Sequence, residues 1–171
     1  MFNADEITEK TIHRITEHYK LLHSQIDIPE LRRAIALLVD RANQDTVCVS
    51  DQEVAEVIAA TQHVLDLLFC TPFSQRRLPI PGTFWDEPQS VGAVLYQTQL
   101  WLQRTLVNYT EAAAILNSGF PEKQAAAVAF IRRKVEQGTL IGFIDPFEPN
   151  PQHAKRVRQS AVELYYRQRA V

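Results

Sequence analysis

The sequence predicts a mainly α-helical protein: a helical front part, then a smaller back part with a two-stranded antiparallel sheet. Three observations lead there. Apolar residues recur at three- and four-residue spacings through most of the first two-thirds of the chain. A strand-like run, Thr139-Leu140-Ile141-Gly142-Phe143-Ile144, stands alone between helical patterns in the last third. Charge also divides the chain, since residues 1–108 hold nine Lys/Arg against fourteen Asp/Glu and residues 109–171 hold nine against six.

A length of 171 residues suits one domain or two small modules sharing a core. Apolar residues at 46% and charged residues at 22% exclude a disordered chain. Two cysteines, Cys48 and Cys70, are too few for a disulfide framework, so a reducing, cytoplasmic setting is expected. The first residues lack a basic region followed by an apolar run, and no apolar stretch is long enough for a membrane span.

The front domain is expected over residues 1–88. Ile12, Ile15, Tyr19 and Leu22 share a face of a first helix over 5–23. Pro29 suits the first turn of a second, with Leu31, Ala34, Ile35, Leu38 and Ala42 as its stripe. Ser50-Asp51-Gln52-Glu53 has the form of a capping box for a third helix. Its face is Val54, Val57, Ile58, Thr61, Leu65 and Leu68, and it should stop near Cys70.

Residues 71–88 hold four prolines and read as a connector, pinned to the helices by apolar residues such as Phe73, Leu78, Phe84 and Trp85. Pro88 is expected to open a linking helix over 89–107, with Val91, Val94, Leu95, Thr98, Trp101 and Leu102 buried. Tyr96 and Leu100 point elsewhere and are candidates for a homodimer contact.

The back domain, 108–171, begins with a short helix after Tyr109 that Thr110 should cap. A longer helix over 122–137 turns Val128, Ile131 and Val135 inward and ends at Gly138. An antiparallel pairing of about 140–144 with 154–158 should be the only sheet, and Ser160 should cap a closing helix with Val162, Tyr165 and Tyr166 inward. Helix, loop, helix, strand pair and closing helix is the order of a winged helix-turn-helix.

The phrases Tyr109-Thr110-Glu111-Ala112-Ala113, Ile131-Arg132-Arg133-Lys134-Val135-Glu136-Gln137-Gly138-Thr139-Leu140 and Arg156-Val157-Arg158 resemble the MerR and excisionase-like DNA-binding domains. The resemblance covers about 60 residues and implies a winged helix-turn-helix bound to double-stranded DNA, with helix 122–137 in the major groove and 139–158 as the wing. The front 108 residues carry no such likeness.

On that geometry the outward face of the recognition helix is Ala126, Ala129, Phe130, Arg133, Lys134 and Gln137. Arg133 and Gln137 suit guanine and adenine edges, and Lys134 suits base or backbone. Arg132 suits a phosphate or a surface ion pair, and Lys155, Arg156 and Arg158 are the wing's phosphate candidates. Phe130 suits thymine methyls or packing against the front helices. The same basic residues also suit a helix C-terminus and a solvated strand in any globular protein.

Nothing points to catalysis. His13, His18 and His23 are spaced too far around a helix to converge on a metal, and no paired-cysteine or glycine-rich phosphate motif occurs. Neither cofactor nor metal is expected. The leading expectation is a non-enzymatic DNA-binding protein, a transcriptional regulator or a phage- or plasmid-type accessory factor, paired as a homodimer through its front domain. The alternative is a non-catalytic protein–protein interaction module, which exposed Trp85 and Trp101 along a groove would favour.

Overall fold

The computed structural model describes residues 1–18, 27–44, 49–70, 77–116 and 124–169. These form two compact units, one of residues 1–48 and 53–100 and one of 49–52 and 101–171. The division falls within the helix expected as a linker rather than at its ends.

The first unit is built by helices that bury threonine beside aliphatic side chains. In α1 (Ala4–His18) the buried face is Ile7, Thr8, Thr11 and Ile15, with Ile12 only half-buried. A threonine can enter such a core because its hydroxyl returns to the carbonyl one turn back. Thr8 Oγ1 donates to the Ala4 carbonyl and Thr11 Oγ1 to that of Ile7, both at 2.6 Å. The expected continuation of α1 through Tyr19, Leu22 and His23 lies outside the described residues.

α2 (Ile28–Ala42) starts where Asp27 accepts the Glu30 amide hydrogen at 2.9 Å, with Pro29 in the first turn as expected. It buries Leu31, Ala34, Ile35, Leu38 and Val39. α1 and α2 are joined at their ends by Asn43, whose side chain accepts from the Phe2 amide at 2.8 Å and donates to the Phe2 carbonyl at 3.1 Å. α3 (Asp51–Phe69) follows directly on Ser50 and buries Val54, Val57, Ala60, Thr61, Val64 and Leu65. Ile58 and Leu68 are half-buried at the edge of that face. Arg41, itself buried, reaches Glu53 at 3.3 Å.

The proline-rich connector is held at both of its described ends. The Leu78 amide donates to the Phe69 carbonyl at 2.8 Å, and Cys70 and Arg77 form an antiparallel bridge. Further on, Phe84 is buried, in a single helical turn α4 (Thr83–Asp86). Leu78 itself is exposed, and Phe73 lies outside the described residues.

Pro88 does not open the next helix. The chain first turns through Gln89, at φ 53, and α5 (Val91–Thr105) starts behind Ser90, whose hydroxyl accepts from the Ala93 amide at 3.2 Å. Val91, Val94, Leu95, Thr98, Trp101 and Leu102 are all buried along α5, the face the periodicity predicts.

Asp66 on α3 gathers three donors. Arg77 reaches Oδ1 at 2.9 Å, Gln62 contacts both carboxylate oxygens, and the Cys70 thiol approaches Oδ1 at 3.5 Å. Burial alone would raise the carboxyl, but these hydrogen bonds and the Arg77 charge outweigh it and hold Asp66 below its ordinary value of 3.8. Burial and then the adjoining carboxylate push the Cys70 thiol up, away from the reactive thiolate.

A carboxyl depressed in the folded state contributes stability that is complete above its unfolded value and is lost as pH falls through the folded one. Asp66→Asn is therefore expected to lower stability at neutral pH and to flatten the acid limb of the stability profile below about pH 4. Urea midpoints measured from pH 7 down to pH 2 check this; an unchanged acid limb would contradict it.

The second unit holds the sheet. β1 (Leu106–Asn108), β2 (Gly142–Ile144) and β3 (Lys155–Arg158) form an antiparallel sheet of order β1-β3-β2. Gly142 pairs with Val157 and Ile144 with Lys155, the hairpin the sequence predicts. That hairpin is not the whole sheet. Leu106, Val107 and Asn108 pair with Arg158, Val157 and Arg156 on the other edge of β3, so a strand lies where helix alone was expected. Val107 is buried against Val157, which explains the gain from extending the chain there.

Around the sheet lie α6 (Tyr109–Leu116), α7 (Gln124–Glu136) and α8 (Gln159–Arg169). Val107, Ala112, Ile131, Leu140, Val157 and Val162 form one core, flanked by Tyr109, Ile115, Leu116 and Val135. Thr110 is not the cap of α6. Asn108 Oδ1 accepts from the Thr110 and Glu111 amides, each at 2.9 Å, and Glu111 Oε2 accepts from the Asn108 amide at 2.8 Å. This is a reciprocal capping box two residues earlier than predicted.

α7 ends as expected at Gly138, at φ 70, where the Thr139 amide donates to the Lys134 carbonyl and the Gly138 amide to that of Val135. Ser160 falls inside α8 rather than capping it. Val162 is buried and Tyr165 half-buried, whereas Tyr166 is exposed, not inward. The expected link at 117–121 and the first residues of the helix expected from Glu122 lie outside the described residues.

Candidate nucleic-acid interface

α7 presents its two faces because Ala127 and Ile131 are drawn into the core. Ala126, Ala129, Arg132 and Arg133 are thereby exposed, as is Gln137 just beyond the helix. Arg132 and Arg133 make no ion pair among the described residues. Arg132 lies close enough to lower the Tyr109 hydroxyl, but burial dominates and, with Glu136, leaves that phenol raised.

Lys134 is not an open cation. It is half-buried, its ammonium lies 5.6 Å from the centre of the Phe130 ring, and it donates to Gln137 Oε1 at 3.0 Å. That oxygen keeps a second lone pair, so Gln137 can hold Lys134 and still accept from an adenine amino group. Phe130 packs on Tyr165 of α8, with ring centres 5.9 Å apart, and so belongs to the second unit's own packing.

The three cations expected on a wing differ from one another. Lys155 is exposed at the start of β3, opposite exposed Ile144 on the outer strand β2. Arg156 pairs with Asp145 at 3.1 Å and also donates to the His153 carbonyl, closing the loop between β2 and β3. Arg158 grips Asp51 through two contacts, at 2.8 and 3.3 Å, and donates to the Val49 carbonyl at 2.8 Å and to Ser160 Oγ at 3.0 Å. Such a fork-to-fork pair is among the stronger surface interactions.

Arg156 and Arg158 are therefore structural ties as the protein stands. Their partners were the part sequence reasoning missed. Asp145, eleven residues before Arg156 and next to the strand, was visible as the acid flanking the hairpin. Asp51 lies 107 residues from Arg158, and no local pattern signals it.

Nothing in the described residues assembles a metal site, since no group of three or more His, Cys, Asp or Glu converges. No helix among them is long and apolar enough to cross a membrane. Searches against protein-family models, curated proteins and solved structures find no match to this chain.

Proposed function

We propose that the second unit is a winged helix-turn-helix that binds double-stranded DNA, with α7 as the recognition helix. The observation that carries this reading is the exposure of adjacent Arg132 and Arg133 on the outer face of α7, with no ion pair to either among the described residues. The order α6, α7, hairpin β2–β3 and α8 supports it, as does the sequence resemblance over the same residues. Arg133 serves as the base reader and Arg132 and Lys155 as phosphate contacts. Arg156 and Arg158 hold the wing in shape. Pairing of two copies through the front part, around exposed Tyr96, belongs to the same proposal.

Arg132→Gln combined with Arg133→Gln is expected to weaken binding to mixed-sequence duplex. It should also lower the slope of log affinity against log salt by roughly 0.9 for each phosphate that is no longer neutralised. Arg158→Gln should instead act through stability, with little change in slope once the folded fraction is accounted for. A fluorescence-anisotropy titration across salt concentrations checks both. Absence of binding by the unaltered protein at about 50 mM salt would defeat the reading, since non-specific binding is strongest at low salt.

A protein-docking role draws on Ile141 and Ile144, both exposed beside the outer edge of β2. The tryptophan groove does not add to it, because Trp101 is buried and Trp85 half-buried.

A further inference from the structure

The first unit contains a cleft lined by its own residues. Ile15 on α1, Leu68 and Phe69 at the end of α3, and Pro81 and Phe84 around α4 form its apolar walls, Thr83 joins them at the rim, and Arg14 is the one charged group among the described lining residues. Its volume is about 240 Å³. That is below the roughly 300–1,000 Å³ of sites for drug-sized molecules and matches a single ring with a short side chain. The Phe69 and Phe84 rings meet edge to face at 5.0 Å and Trp85 packs on Phe84 at 5.1 Å, so Phe84 is almost wholly buried and half-buried Phe69 supplies most of the aromatic surface of the wall.

Arg14 decides the chemistry. Among the described residues its guanidinium makes one polar contact, at 3.3 Å with Glu87, and both groups are about half exposed. A guanidinium carries five N–H donors in a planar fork, so one carboxylate held at one point leaves donors that only solvent meets and that an anion in the cleft can take over. An apolar pocket closed at one side by such a cation is complementary to an apolar body ending in an anion. A neutral hydrocarbon would leave the cation unused, and a cationic ligand would meet it head-on.

We propose that this cleft binds a small aromatic monocarboxylate. The ring lies against Leu68, Phe69 and Pro81, over the almost wholly buried Ile15 and Phe84, and the carboxylate takes up donors of Arg14 not used by Glu87. Glu87 competes for the same guanidinium and sets the affinity from the opposite side. The site stands apart from the DNA-binding reading and does not depend on it.

The probes are phenylacetate and its neutral isostere phenylacetamide, titrated calorimetrically into the full chain. Phenylacetate should bind at one site, about tenfold or more tighter than the amide, a difference of about 1.4 kcal/mol or more. Arg14→Gln should abolish the preference for the acid, whereas Glu87→Gln should tighten phenylacetate binding by removing the competitor. Both positions are half exposed, so folding should survive, and circular dichroism verifies it. Equal binding of acid and amide, an unchanged preference in Arg14→Gln, or no saturable heat up to about 10 mM, the weak limit at which binding is worth under 3 kcal/mol, would overturn the proposal.

Discussion

Gly92→Ala is expected to unfold or severely loosen the first unit, with a loss of about 3 kcal/mol or more. A methyl group built at Gly92 would sit 1.8 Å from the Phe84 carbonyl oxygen and 2.8 Å from its carbon. These are backbone atoms and cannot rotate aside as a side chain could. The first turn of α5 must therefore part from α4, and Phe84, buried between Phe69 and Trp85, must move with it. Gly82→Ala is the matched control, because nothing lies within 4 Å of a methyl group there. Urea unfolding followed by far-ultraviolet circular dichroism compares the two. A Gly92→Ala protein as stable as the control would show that α4 yields without consequence.

The second large effect belongs to the other unit. Ile131 is fully buried at the meeting point of α7 and the sheet core, so Ile131→Ala is expected to destabilise that unit by about 2–5 kcal/mol. The loss combines the removed apolar surface with the void left among Ala112, Leu140, Val157 and Val162. Ala112 is too small to fill it. Each unit holds one tryptophan, Trp85 in the first and Trp101 at the start of the second unit's stretch of α5, so fluorescence from a Trp85→Phe background reports on Trp101, and far-ultraviolet circular dichroism accompanies it. A shift of less than about 1 kcal/mol would mean that the void collapses, which a rigid sheet core does not favour.

How much was legible in the sequence follows from how local each determinant is. The face of α5 could be read residue by residue because helix periodicity and burial agree along a single element. Gly138 announced the end of α7, since only a residue free of a Cβ takes the left-handed conformation there without strain. The β2–β3 hairpin was visible for the same reason, both strands being near neighbours in the chain.

β1 was not visible. It has three residues, follows a helix directly, and owes its conformation to a partner strand about fifty residues away. Pro88 misled because proline fits the start of a helix and of a turn equally well, and the left-handed Gln89 chose the turn. At the candidate interface, residue types identified the cations, and distant carboxylates decided which of them stay available. Arg158 shows this most clearly: its commitment to Asp51 and Val49 is a tertiary fact.

Asn108 has a double role with a mechanical consequence. It is the last residue of β1, aligned with Arg156, and at the same time the cap from which α6 starts. No slack separates strand from helix. A slip of β1 by one residue along β3 would turn Val107 out of the core and carry the capped start of α6 along with it in a single movement. Strand register and the placing of α6 are thus one decision rather than two, because a misaligned β1 shifts Ala112 from its seat in the core as well. Through that joint the chain proofreads the pairing of β1 with β3.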